Sequence, residues 1–126
     1  MAANNADSKR LLFFFLLIGI ATVACRFFTP DLPPGEGEKA ERGYAACQPI
    51  ITALENYHDV NGEYPQRLDE LVPAFISDFP EQVNGEPIQY EKTAQNKYKL
   101  SFSYTGPGLN HCTYSPHDGW RCSGLY

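Results

Sequence analysis

Residues 97–104 read Lys97-Tyr98-Lys99-Leu100-Ser101-Phe102-Ser103-Tyr104, and large apolar side chains alternate there with small or charged ones. Such strict alternation marks a strand with one face on a core and the other in water. The stretch therefore predicts a half-buried strand of an antiparallel sheet. Outward on the N-terminal side, Ile88 and Tyr90 keep the same alternation across a polar turn at residues 93–96 and supply a partner strand. On the C-terminal side Gly106-Pro107-Gly108 marks a second reversal. Residues 115–119, Ser-Pro-His-Asp-Gly, mark a third. Folding the chain about His117 sets Cys112 opposite Cys122 and Tyr114 opposite Trp120, both pairs on one face of a hairpin.

Such a sheet needs a cover for its apolar face, and the sequence before it provides one. Between residues 38 and 60, Ala40, Tyr44, Cys47, Ile51, Leu54 and Tyr57 or His58 recur at steps of three and four, the stripe of an amphipathic helix. Pro49 falls inside this stretch, which predicts either a kink or a helix that begins closer to it. Asn61-Gly62 ends it, with Gly62 suited to a left-handed cap. Leu68, Leu71 and Val72 predict a short helix over 66–72, closed by Pro73, and residues 74–87 read as a connecting loop. The expected fold class is α+β: an N-terminal membrane segment, then a long amphipathic helix packed on a small antiparallel sheet.

The N-terminus has a different character. Lys9 and Arg10 precede an apolar run over residues 11–24 that ends at Cys25. With Cys25 the run is 15 residues long, whereas crossing a bilayer takes about 20. A positive flank, a short apolar segment and small residues before a cysteine read as an export signal. Ala21-Thr22-Val23-Ala24-Cys25 resembles a bacterial lipobox, which implies lipidation at Cys25; an uncleaved signal anchor and ordinary secretion are the other two readings. Three segments follow: a signal peptide or membrane anchor at 1–25, a Pro/Gly-rich linker at 26–37, and an α+β domain at 38–126. Arg26 beside the cysteine resembles the sorting pattern of outer-membrane lipoproteins.

Removing Asp7, Lys9 and Arg10 from a chain with 15 acidic and 10 basic residues leaves a formal charge of about −6 on the rest. That sign argues against nucleic acid, because phosphate binding requires a basic face, and it offers no polybasic patch for anionic lipid. Outside the cytosol paired thiols oxidise. Of the four cysteines, Cys112 and Cys122 form the natural disulfide by register; Cys47 is then a buried helix residue, with a Cys25–Cys47 bridge as the competitor where no lipid is attached.

The segment Ala53-Leu54-Glu55-Asn56-Tyr57, followed by Asn61-Gly62-Glu63-Tyr64-Pro65 and the leucines Leu68 and Leu71, resembles the periplasmic part of type II secretion pseudopilins and type IV pilins. The Cys112, Cys122 pair is similar to the disulfide-bounded region of many pilins. The resemblance covers residues 38–126 in order and implies a pilin-like domain, an accessory role in an envelope secretion or pilus apparatus, and protein components of that apparatus as partners. Pilins that polymerise carry a glycine before the mature helix and a glutamate five residues into it; this chain has no acid between residues 11 and 24, and Gly19 lies mid-run. The resemblance therefore implies a pilin-like module on a different anchor.

For function, His58, His111 and His117 lack a nucleophile and orienting acid at a suggestive spacing, so no catalytic residue is assigned and the chain is read as a non-enzyme. His111, Cys112, His117, Asp118 and Cys122 contain zinc-ligand types without C-x-x-C or H-x-x-x-H spacing. A small envelope redox or metal-binding protein built on them is the alternative reading; no metal site and no cofactor is assigned. The aromatics Tyr104, Tyr114, Trp120 and Tyr126 are the partner-binding candidates, because Tyr and Trp at a surface favour protein contacts. The expected location is the bacterial cell envelope, membrane-anchored and facing the periplasm or the cell exterior.

Overall fold

The alternating stretch forms β4, Lys97–Thr105, which lies between two neighbours in a four-stranded sheet. The computed structural model describes residues 31–125. The sheet is an antiparallel meander in the order β3 (Gln89–Ala94), β4, β5 (Leu109–Ser115) and β6 (Gly119–Leu125). Phe102 pairs with Cys112 and Cys112 with Cys122, while Leu100 pairs with Tyr114 and Tyr114 with Trp120. The register expected for the last hairpin is the register observed. On β4 the even positions, Tyr98, Leu100, Phe102 and Tyr104, are all buried at 3% exposure or less.

That face is covered by helix α1, Glu38–Asn61. Its 24 residues span about 36 Å at 1.5 Å per residue, close to the roughly 30 Å of a nine-residue strand. The two run in opposite senses: Lys39 Nζ donates to the Thr105 carbonyl at one end, and His58 Nε2 lies 3.1 Å from Asn96 Oδ1 at the other. The helix starts well before Pro49 and includes it. The buried stripe is Ala40, Gly43, Cys47, Ile50, Ile51, Ala53 and Leu54, so it centres on Gly43 and Ile50 rather than on Tyr44, which lies half-buried at the margin. Each buried Ile or Leu there stabilises the fold by about 1.5–3 kcal/mol. Gly62 caps the helix at φ 76°, donating its N–H to the His58 carbonyl.

Beyond the cap, Tyr64 N–H donates to the Gln95 carbonyl, tying the helix end to the β3–β4 turn. Leu68–Leu71 forms a 3₁₀ turn rather than a longer helix. The stretch 74–87, expected to be a loop, contains a small hairpin: β1 (Gln82–Val83) pairs with β2 (Glu86–Pro87) around Asn84-Gly85, both with positive φ. Asn-Gly is the preferred dipeptide of that turn, and the signal is present in the sequence. The β3–β4 turn is tighter than expected, because β3 continues through Thr93 and Ala94 with a register shift between Lys92 and Ala94.

Among the described residues no helix is long and apolar enough to cross a membrane. The apolar run, Cys25 and Tyr126 lie outside the described residues. Residues 32–37 belong to the same unit as the sheet and helix.

Candidate functional site

The side chains singled out at the C-terminus gather on the helix-facing side of β4–β6. Cys112 and Cys122 form a disulfide across β5 and β6. Beside it Tyr44, from the second turn of α1, meets the Phe102 ring edge-on at 5.5 Å and the Trp120 ring at 4.9 Å. Trp120 also touches Phe102 at 5.3 Å and Tyr114 at 5.4 Å between ring centroids. These are edge and tilted arrangements, which aromatic quadrupoles favour.

The segment before the helix closes this cluster. Gly35 donates its N–H to the Tyr104 hydroxyl at 2.8 Å and accepts from the Tyr44 hydroxyl at 3.0 Å. The same Tyr44 oxygen lies 3.2 Å from Cys122 Sγ and 3.9 Å from Cys112 Sγ. A side chain at residue 35 would sit 2.7 Å from Cys122 Sγ, and φ there is +90°, so the position requires glycine on both counts. Gly35 is thus hydrogen-bonded to one side chain of the sheet and one of the helix. Burial raises the Tyr44 hydroxyl above the ordinary tyrosine range, with Tyr104, Glu41 and Glu36 adding to it.

The structure sorts the expected site residues plainly. Tyr104 is 3% exposed, with its hydroxyl engaged by Gly35, and so offers no surface to a partner. Tyr114 and Trp120 are half-buried and packed on the core, leaving their outer edges accessible. Cys47 is a free, buried thiol whose pKa burial pushes up to about 12.

The histidines and cysteines do not converge. His111 precedes Cys112 on β5 and points to the opposite face of the sheet, where Ser103 Oγ lies 2.9 Å from its Nδ1 and Thr113 Oγ1 3.1 Å from its Nε2. Alternation along the strand imposes that separation. The group on the second ring nitrogen is thus a hydroxyl and not a carboxylate. His117 is in the exposed β5–β6 turn beside Asp118. Among the described residues no group of three or more His, Cys, Asp or Glu is placed to hold a metal ion.

Sequence reasoning missed a polar knot at the other end of the helix. Glu55 accepts from the hydroxyls of Tyr64 and Tyr98, at 3.0 and 3.2 Å for the shortest of each. The Tyr64 ring stacks on His58 at 4.5 Å. Helix, post-helix turn and sheet are joined through one carboxylate. Compared with family models, with curated proteins and with solved structures, the chain matches none.

Proposed function

We propose that this is a non-catalytic, membrane-tethered protein of the bacterial envelope, with a pilin-like domain that acts by binding as an accessory of a secretion or pilus apparatus. The observation that carries the reading is the Cys112–Cys122 bridge, set in the hairpin that ends an order of long helix followed by antiparallel meander. Such a bridge persists in an oxidising compartment, and an export signal at 1–25 delivers the chain to one. The same segment, lipidated at Cys25 and held by more than one acyl chain, keeps the domain on a membrane. Binding then falls to exposed surface, including the accessible edges of Tyr114 and Trp120.

The reading is tested in cells making the full chain with a C-terminal epitope. Spheroplasts are treated with protease, and the membrane fraction is assayed for incorporation of labelled palmitate. Digestion of the epitope in intact spheroplasts, with label lost in Cys25→Ala, is the expected result. Protection until lysis, or an unlabelled chain in the soluble fraction, contradicts it.

A further inference from the structure

The face of the sheet turned away from α1 carries two adjoining cavities. The first, of about 520 Å³, lies by the β3–β4 and β5–β6 turns; Thr93, Asn96, Lys97, Lys99, His117 and Asp118 line it, together with the apolar Tyr98 and Pro116. The second, of about 490 Å³, continues along the sheet past Gln89, Glu91, Lys99, Ser101, His111 and Thr113. Lys99 belongs to both. Each volume falls within the roughly 300–1,000 Å³ of small-ligand sites.

The charges in this groove are arranged unlike those elsewhere on the domain. Of the seven Lys and Arg among the described residues, Arg42, Arg67, Lys92 and Arg121 form ion pairs and Lys39 donates to a carbonyl. Lys97 and Lys99 are the two that form neither, and both line the first cavity. They are two apart on β4, so both ammonium groups leave the same face. Asp118 is already engaged by Arg121, Ser115 and His117. An acidic protein thus holds two cations side by side in a concavity, neither of them in a direct ion pair among the described residues and only Lys99 faced by a carboxylate, that of Glu91, so an anion would complete the site.

The second cavity distinguishes among anions. Glu91 lies across from Lys99 in the register, and Gln89 and Thr113 flank Ser101. A further negative charge would be repelled there, whereas a ligand hydroxyl would donate to Glu91 and exchange hydrogen bonds with Gln89, Ser101 and Thr113. One anionic end followed by hydroxyls is the pattern of a carboxylated sugar. We propose that the outer face of the sheet binds a uronic-acid-type saccharide, with its carboxylate on Lys97 and Lys99 and its hydroxyls along Ser101, Thr113 and Glu91. The site shares no residue with the proposed membrane anchor, so the failure of either reading leaves the other standing.

The test is calorimetric titration of the full chain in detergent with tri-galacturonic acid. Saturable binding is expected, weakened at least about tenfold in Lys97→Gln/Lys99→Gln, the factor that losing one charge-assisted hydrogen bond produces. Lys39→Gln, a cation outside the groove, is expected to bind as the unaltered chain does. Both lysines are exposed, and circular dichroism checks that the double variant is folded. Absence of saturable heat at millimolar ligand, or undiminished binding by the folded double variant, overturns the proposal. Equal binding of the neutral galactose trimer removes the role of charge, and equal binding of hexaglutamate replaces the saccharide with an acidic peptide; either result also overturns it.

Discussion

Gly43 on the helix faces the ring of Phe102 on β4 so closely that a Cβ added to the glycine would lie 2.1 Å from Phe102 Cε2. Helix and sheet approach here through the absence of a side chain. Gly43→Ala would raise helix propensity by about 1 kcal/mol, yet it drives a methyl into a buried ring that cannot retreat. Overpacking of this kind costs about 1–3 kcal/mol, so the net effect expected is destabilisation. Urea unfolding gives the sign; a variant more stable than the parent contradicts this packing.

The disulfide closes a loop with a sequence separation of 10, and its removal in Cys112→Ser/Cys122→Ser is expected to cost about 2–4 kcal/mol. Thiol reagents give an independent check on Cys47. In a Cys25→Ser chain, none should react in the native state, one in denaturant, and three in denaturant after reduction. Rapid native labelling of Cys47 would show that the core is looser than its 0% exposure implies.

High pH should unfold the domain through its tyrosines. Burial, helped by hydrogen bonding to Glu55, pushes Tyr64 and Tyr98 well above the ordinary value, and burial does the same to Tyr90. A phenol whose folded pKa is raised adds stability that is fully present below about pH 10 and is lost as the pH rises further, because the unfolded chain releases the proton first. Absorbance at 295 nm and far-ultraviolet dichroism should therefore change together above pH 10. Tyr98→Phe should remove part of that shared transition. Ionisation of these tyrosines in a still-folded chain would contradict the buried knot.

Asp118 gives the opposite dependence. Hydrogen bonds from His117 and Ser115 and the nearby Arg121 guanidinium hold its carboxyl below the usual range. A depressed carboxylate contributes stability above the unfolded value of about 3.9, lost as pH falls through the folded pKa. Asp118→Asn should thus be slightly less stable than the parent at pH 7 and indistinguishable from it in strong acid. A gap that persists in acid contradicts this assignment.

The helix, the meander and the terminal hairpin were legible because each is written in local periodicity: Tyr98, Leu100, Phe102 and Tyr104 at spacing two, and Ala40, Cys47 and Leu54 at spacing seven. Period also fixed the Cys112–Cys122 register once the turn was placed. The Asn84-Gly85 hairpin was overlooked although its dipeptide signals it, because strands of two residues are too short to show alternation. What the sequence concealed depends on contacts across the chain: Gly35 against Cys122, Gly43 against Phe102 and Glu55 between two tyrosines have no local pattern. Tyr104 illustrates the same limit, since alternation assigns it a face without showing that Gly35 donates to its hydroxyl.

The most direct test of the proposal that this disulfide-closed domain is lipid-anchored in the envelope is the intact mass of the chain extracted from membranes, with and without reduction and alkylation. Loss of residues 1–24, a gain of acyl mass and a single free thiol, that of Cys47, is the predicted result. A full-length, unacylated chain, or one in which Cys112 and Cys122 alkylate without reduction, would contradict the account.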